Sequence, residues 1–142
     1  MPHNVDKEGV EHGYESVRND SSDETWALFG YDDNEKIIHL KSGTVYDEFI
    51  DEFVENKRLY GFVRFKTGDE LSKRAKFVFI TWIGDSVSPL KKAKVSTDKG
   101  NVKAVITNFA VEILTGDKSE LDYDTVKVQV QKVGGTNYGT GK

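Results

Sequence analysis

The sequence predicts an α+β fold: one domain in which a central mixed β-sheet is covered by helices on both faces. Three observations carry that expectation. Helical and strand periodicities follow one another as α, β, β, α, β, β, α, β, α along 142 residues, a length that suits a single core. Phe77, Val78, Phe79 and Ile80 are consecutive apolar residues, so a strand there must be buried on both sides. No Gly/Ser/Pro-rich linker and no internal repeat divides the chain.

The elements follow in order. Val5 precedes Asp6, and Val10 lies four positions into the helix that Asp6 would cap. This is a hydrophobic staple, and Val10, Tyr14 and Val17 extend it as one apolar stripe, so a helix is expected over 6–19. Asp20-Ser21-Ser22-Asp23 breaks it. Glu24 to Tyr31 and Glu35 to Leu40 flank the turn residues Asp32-Asp33-Asn34 as a β-hairpin. From Val45 to Val54, Tyr46, Phe49, Ile50 and Phe53 recur at helical spacing among acids, predicting a second helix.

Lys57 to Lys66 and Lys73 to Ile83, rich in Tyr, Phe, Val, Ile and Trp, are expected as two central strands joined at Thr67-Gly68-Asp69. Ser88-Pro89 offers an N-cap and a proline for the first helical position. Val102, Val105, Ile106 and Phe109 then repeat at i, i+3, i+4, i+7, predicting a long helix to about Asn108 with a weak point at Gly100. Val111 to Leu114 reads as a short strand. Ser119 to Val133 fits an alternation of Val126, Val128 and Val130, and also a helical stripe of Tyr123, Val126, Val130 and Val133. A glycine stop at Gly134-Gly135 favours the helix. The domain is therefore expected over 1–135, with 136–142 a flexible tail.

Composition excludes several classes. The chain has no cysteine, hence no disulfide framework, thiolate metal site or cysteine nucleophile. No run approaches the roughly 18 apolar residues of a membrane span, and the first ten residues hold no apolar leader, so a cytosolic protein is expected. His3, His12 and His39 have no metal-ligand spacing. The closing Gly139-Thr140-Gly141-Lys142 lacks the first glycine and the Ser/Thr of a phosphate loop. No catalytic constellation, metal or cofactor is expected, and the chain reads as a non-enzyme.

Charge is unevenly spread. Residues 1–56 hold 4 Lys/Arg against 15 Asp/Glu, net −11; residues 57–103 hold 12 against 4, net +8; the remainder is −1. A cationic surface built from the middle of the chain would suit an acidic partner. Lys92, Ser96, Lys99 and Lys103 share one face of the predicted long helix, Lys91 and Lys94 flank its start, and Lys73, Arg74 and Lys76 enter the fourth strand. These two groups are expected to join.

Arg58 to Phe65 matches the RNA-recognition-motif signature at every position but Leu59, which makes an RNA-binding module the alternative. That module needs Tyr60 and Phe62 bare for base stacking and a helix after the strand. A second long strand follows instead and the chain is acidic, so no nucleic-acid partner is expected.

Phe62-Val63-Arg64-Phe65-Lys66-Thr67-Gly68-Asp69, Ser72-Lys73-Arg74-Ala75-Lys76-Phe77 and Ile80-Thr81-Trp82-Ile83-Gly84 resemble the coactosin group of the ADF/cofilin family. Asp6-Lys7-Glu8, Thr97-Asp98-Lys99 and Gly134-Gly135-x-Asn137-Tyr138 extend the likeness along nearly the whole chain. The resemblance implies the ADF-homology (gelsolin/cofilin-like) fold and binding to filamentous actin in the cytoplasmic actin cytoskeleton. It also implies that the long helix and a second surface of strand ends touch neighbouring actin subunits. Lys76 is the position it marks first for the filament, with Lys73, Arg74, Lys91, Lys92, Lys94, Lys99 and Lys103 as the accompanying basic residues. Anionic phosphoinositides are a further partner for the same face, and a monomer is expected. The severing branch carries an N-terminal phosphorylatable serine, absent from Met1-Pro2-His3-Asn4. It also carries a Lys-Met pair where this chain has Lys94-Val95, so strong severing and monomer binding are not expected.

Overall fold

A computed structural model describes residues 4–67 and 74–137, with side chains through Val133. His3, the Gly68-Asp69 turn, Lys73 and the residues from Tyr138 onward lie outside the described residues. Five strands, β1 (Trp26–Tyr31), β2 (Ile37–Gly43), β3 (Arg58–Thr67), β4 (Arg74–Ile83) and β5 (Val111–Thr115), form one sheet in the order β2-β1-β3-β4-β5. Neighbours pair antiparallel except β5, which runs parallel to β4. The helices are α1 (Lys7–Arg18), α2 (Tyr46–Asp51), α3 (Pro89–Lys103) and α4 (Tyr123–Asn137), with a 3-10 turn at Lys118–Leu121.

Alternation along β3 and β4 divides the interior into two cores. Leu59, Val63, Phe65, Val78, Ile80 and Trp82 pack with Phe49 and Phe53 from the α2 segment and with Val126 and Val130 of α4. Tyr60, Phe62, Phe77 and Phe79 pack on the other side with Val10, Tyr14 and Val17 of α1 and Val95 and Val102 of α3. The consecutive apolar run in β4 thus feeds both cores, as a sheet covered on each face requires.

Arg64, on the α1 side of β3, fixes that helix to the sheet. Its guanidinium donates to the carbonyl oxygens of Val17 (2.9 Å), Asn19 (3.2 Å) and Ser22 (3.3 Å), satisfying groups that a helix end leaves open.

One cap and three helix ends differ from the sequence expectation. Asp6 holds the N-cap position of α1, but its side chain makes no capping bond; the staple pair Val5 and Val10 is buried as expected. α2 is six residues long, because the N–H groups of Glu52 and Phe53 turn back to Phe49 and Ile50 (3.1 Å each) and carry Phe53 into the core. α3 ends at Lys103 rather than near Asn108. The Tyr14 hydroxyl accepts from the Asn108 N–H (2.9 Å), and the Ala110 N–H donates to Phe77 O (2.8 Å), so the chain leaves the helix to start β5. α4 continues through Gly134 and Gly135 to Asn137 instead of stopping at the glycines.

Candidate functional site

The first turn of α3 stands clear of the core. Ser88 caps it, accepting weakly from the Lys91 N–H (3.4 Å), and Pro89 occupies the first helical position, where its missing N–H costs nothing. Leu90 is 83% exposed, the most exposed of the large apolar side chains described, and Lys91 is exposed beside it. Between Val87 and Val95 no side chain is buried. Leu90 belongs to no apolar stripe in the sequence and is not among the residues expected at the site. The available signal was its position outside the Val95 and Val102 stripe.

One turn further on, α3 is clamped. Asp98 is 6% exposed. Its carboxylate accepts from the Tyr31 hydroxyl at 2.6 Å and from Lys94 Nζ at 2.9 Å. Tyr31 lies 3.4 Å from the Tyr60 hydroxyl, which donates to Val95 O at 2.8 Å. Burial pushes the Asp98 carboxyl upward, but the Tyr31 and Lys94 hydrogen bonds outweigh it and hold the group below its ordinary range. Burial followed by the bond to Asp98 pushes the Tyr31 phenol far up, so it remains a donor. Lys94, expected at the outer surface, is therefore spent on an internal i, i+4 pair and also lies over the Tyr31 ring (5.3 Å). Val95 is fully buried, so this position presents nothing to a partner.

Lys99 and Lys103 share a face with Lys92 and Ser96 as predicted, but that face turns toward β5. Glu112 holds both, Lys99 at 3.7 Å and Lys103 at 2.8 Å. Lys91 and Lys92 are the α3 lysines without an ion pair among the described residues.

The basic residues at the start of β4 lie elsewhere. Arg74 and Lys76 alternate with Ala75 and Phe77, so they belong to the α2/α4 side, opposite the layer that contains α3. Lys76 is half-buried and paired in register with Phe65. α3 begins after β4 has ended and returns toward the β4 start, where Ala110 bonds Phe77. Lys91 and Lys94 therefore sit about 20 Å along the sheet from Lys76. The expected single rim is instead two patches, on opposite faces and at opposite ends of β4. Lys73 lies outside the described residues.

Beside the α3 start is an open hollow of about 560 Å³ lined by Tyr31, Lys57, Arg58, Ser88 and Lys91 among others. Arg58 stacks on Tyr31 (3.9 Å to the ring centre) and grips Glu35 with two bonds (3.0 and 2.8 Å). Those bonds hold the Glu35 carboxyl below its ordinary range. Among the described residues no three metal-ligating side chains converge and no helix is long and apolar enough to cross a membrane. The RNA-binding alternative is overturned by burial: Tyr60 and Phe62 are fully covered by α1 and α3, leaving no stacking surface.

A five-stranded sheet between two helix layers, with a proud helix start on one face, matches the ADF-homology architecture. The family described as Cofilin/tropomyosin-type actin-binding protein covers residues 4–131, and the chain belongs to it. Coactosin-like protein of Bos taurus is 46% identical over 97% of this chain and 96% of its own length. Crystal structures of human coactosin-like protein superpose with a TM-score of 0.86 at 44% identity, over 91% of this chain and 98% of theirs. The solution structure of mouse coactosin, described as an actin filament binding protein, has a TM-score of 0.79 at 43% identity and covers 100% of this chain and 99% of its own.

Proposed function

We propose that this chain binds the sides of actin filaments through two surfaces, the start of α3 (exposed Leu90 and Lys91, with half-buried Lys92) and the β4 entry (Arg74, Lys76). It acts as a monomeric, non-enzymatic component of the cytoplasmic actin cytoskeleton. The observation that carries this reading is the separation of the two patches. They face opposite ways, so a single flat subunit surface cannot meet both, whereas two adjoining subunits of a polymer can. Cationic patches have the right sign for an acidic polymer surface. With Val95 buried and Lys94 internally paired, the helix grips one subunit weakly, which favours decoration of filaments over severing or monomer sequestration.

The test is cosedimentation with polymerised against monomeric actin. Lys76→Ala should weaken pelleting by about 1 to 3 kcal/mol, roughly 5- to 150-fold in affinity, as expected for a partly desolvated charge at an interface. A folded mutant that pellets like the parent would remove Lys76 from the interface. Phosphoinositide binding uses the same cations and is read by vesicle flotation in parallel over a salt series.

A further inference from the structure

We propose that Ser88 is a phosphorylation site for a proline-directed protein kinase, and that its phosphate weakens the contact made by the start of α3. The second half of this proposal rests on the filament reading above. Ser88-Pro89-Leu90-Lys91 places a hydroxyl directly before proline, with a cation three positions beyond it. Proline-directed kinases select that arrangement because the pocket after the acceptor is apolar and leaves a backbone N–H unpaired, a group proline lacks. The +3 cation meets acidic residues of such an enzyme. The chain has two prolines, and the other, Pro2, follows Met1, so no other hydroxyl residue precedes a proline.

The fold presents this segment. Ser88 is exposed and extended (φ −63°, ψ 153°), and Ser86, Pro89, Leu90 and Lys91 are exposed around it. A kinase cleft takes its substrate extended, so the first turn of α3 must open. Opening it breaks the Lys92 N–H bond to Ser88 O (2.9 Å) and the long cap to Lys91, and uncovers no buried side chain before Val95.

The reaction balances with Mg-ATP as co-reactant. Ser88 Oγ attacks the γ-phosphorus and a new O–P bond forms. The bond from that phosphorus to the β,γ-bridging oxygen breaks, ADP leaves, and the hydroxyl proton passes to the kinase's base. The product then has a built environment. A phosphate on the cap residue lies at the positive end of α3, in the hollow lined by Lys57, Arg58 and Lys91. Lys57 and Lys91 have no ion-pair partner among the described residues and are available to it. Roughly two negative charges would then occupy the end of α3 that offers Lys91 and Lys92 to actin.

The experiment incubates the native full-length chain with a cyclin-dependent-type kinase and Mg-ATP, and reads intact mass and peptide position. One phosphate on Ser88 is expected, reduced at least tenfold in Ser88→Ala and in Pro89→Ala, with melting curves confirming that both variants fold. Absence of incorporation, or incorporation undiminished in those variants, overturns the site. The purified phosphoprotein is then pelleted with filaments beside the unmodified chain. At least fivefold weaker pelleting is expected, and equal pelleting overturns the regulatory half. Failure of the unmodified chain to pellet would instead sink the filament reading, and the mass measurement would still decide the modification site.

Discussion

Replacing Asp98 by alanine removes the acceptor that ties α3 to the sheet. A hydrogen bond from a buried phenol to a carboxylate contributes about 1.5 to 3 kcal/mol. The Lys94 pair, at i, i+4 and partly exposed, adds about 0.3 to 0.5 kcal/mol, and relief of the buried charge returns part of the total. A net loss of about 1 to 3 kcal/mol is expected, a drop in melting temperature of roughly 3 to 10 °C for a domain of this size. Thermal and urea unfolding followed by circular dichroism at neutral pH would measure it. Tyr31→Phe and the double variant complete a cycle whose coupling should exceed about 1 kcal/mol. The pH dependence carries the same signature. The folded carboxyl titrates below its unfolded value of about 3.9, so the stabilisation is complete above that value and is lost as pH falls through the lower folded one. The Asp98→Ala deficit should therefore shrink in strong acid. Additive single-variant effects within about 0.5 kcal/mol would refute the clamp.

Glu112→Gln releases Lys99 and Lys103. It should cost less than about 1 kcal/mol of stability, because the pairs are partly exposed, and filament pelleting should change less than with Lys76→Ala, because these lysines lie outside both proposed surfaces. Half-buried His39, 5.5 Å from Phe29 and hydrogen-bonded to Ser42 at 2.7 Å, has its pKa lowered chiefly by burial, with His12 adding to the effect. Its contribution is intact above the unfolded value of about 6.5 and falls away as pH drops through the folded one. The melting temperature should therefore decline from pH 7.5 to 5.5, and His39→Gln should flatten the decline. Gly84→Ala would drive a Cβ into the backbone carbonyls of Glu55 and Val54 and should cost more than about 2 kcal/mol by denaturant titration. Gly100→Ala meets nothing within 4 Å and should stabilise α3 by roughly 0.5 to 1 kcal/mol.

Much of the fold could be read from periodicity. The Phe77 to Ile80 run announced a sheet covered on both sides, the acids between Tyr31 and Glu35 marked the hairpin, and the Val10, Tyr14 and Val17 stripe marked α1. The errors cluster where tertiary contacts override spacing. Val105, Ile106 and Phe109 keep a helical repeat, yet Tyr14 takes the Asn108 N–H and pulls the chain out of the helix. Gly134-Gly135 has the composition of a stop but not its effect. At the site, the identities of the basic residues were legible and their grouping was not. Strand parity puts Lys76 on the face opposite Phe77, but only the layer assignment says that α3 lies on the Phe77 side. The i, i+4 spacing of Lys94 and Asp98 was available as a sign of an internal pair. The capture of Lys99 and Lys103 by Glu112 had no local signal, because it depends on β5 returning beside β4.

The sheet acts as a partition. Apart from the strands themselves, the described side chains of α1 and α3 share no packing cluster with those of α2 and α4. Volume changes on one side can be absorbed there without repacking the other, so paired substitutions across the wall should combine independently. Descendants of such a chain are free to remodel one outer surface while the opposite one stays as it was inherited.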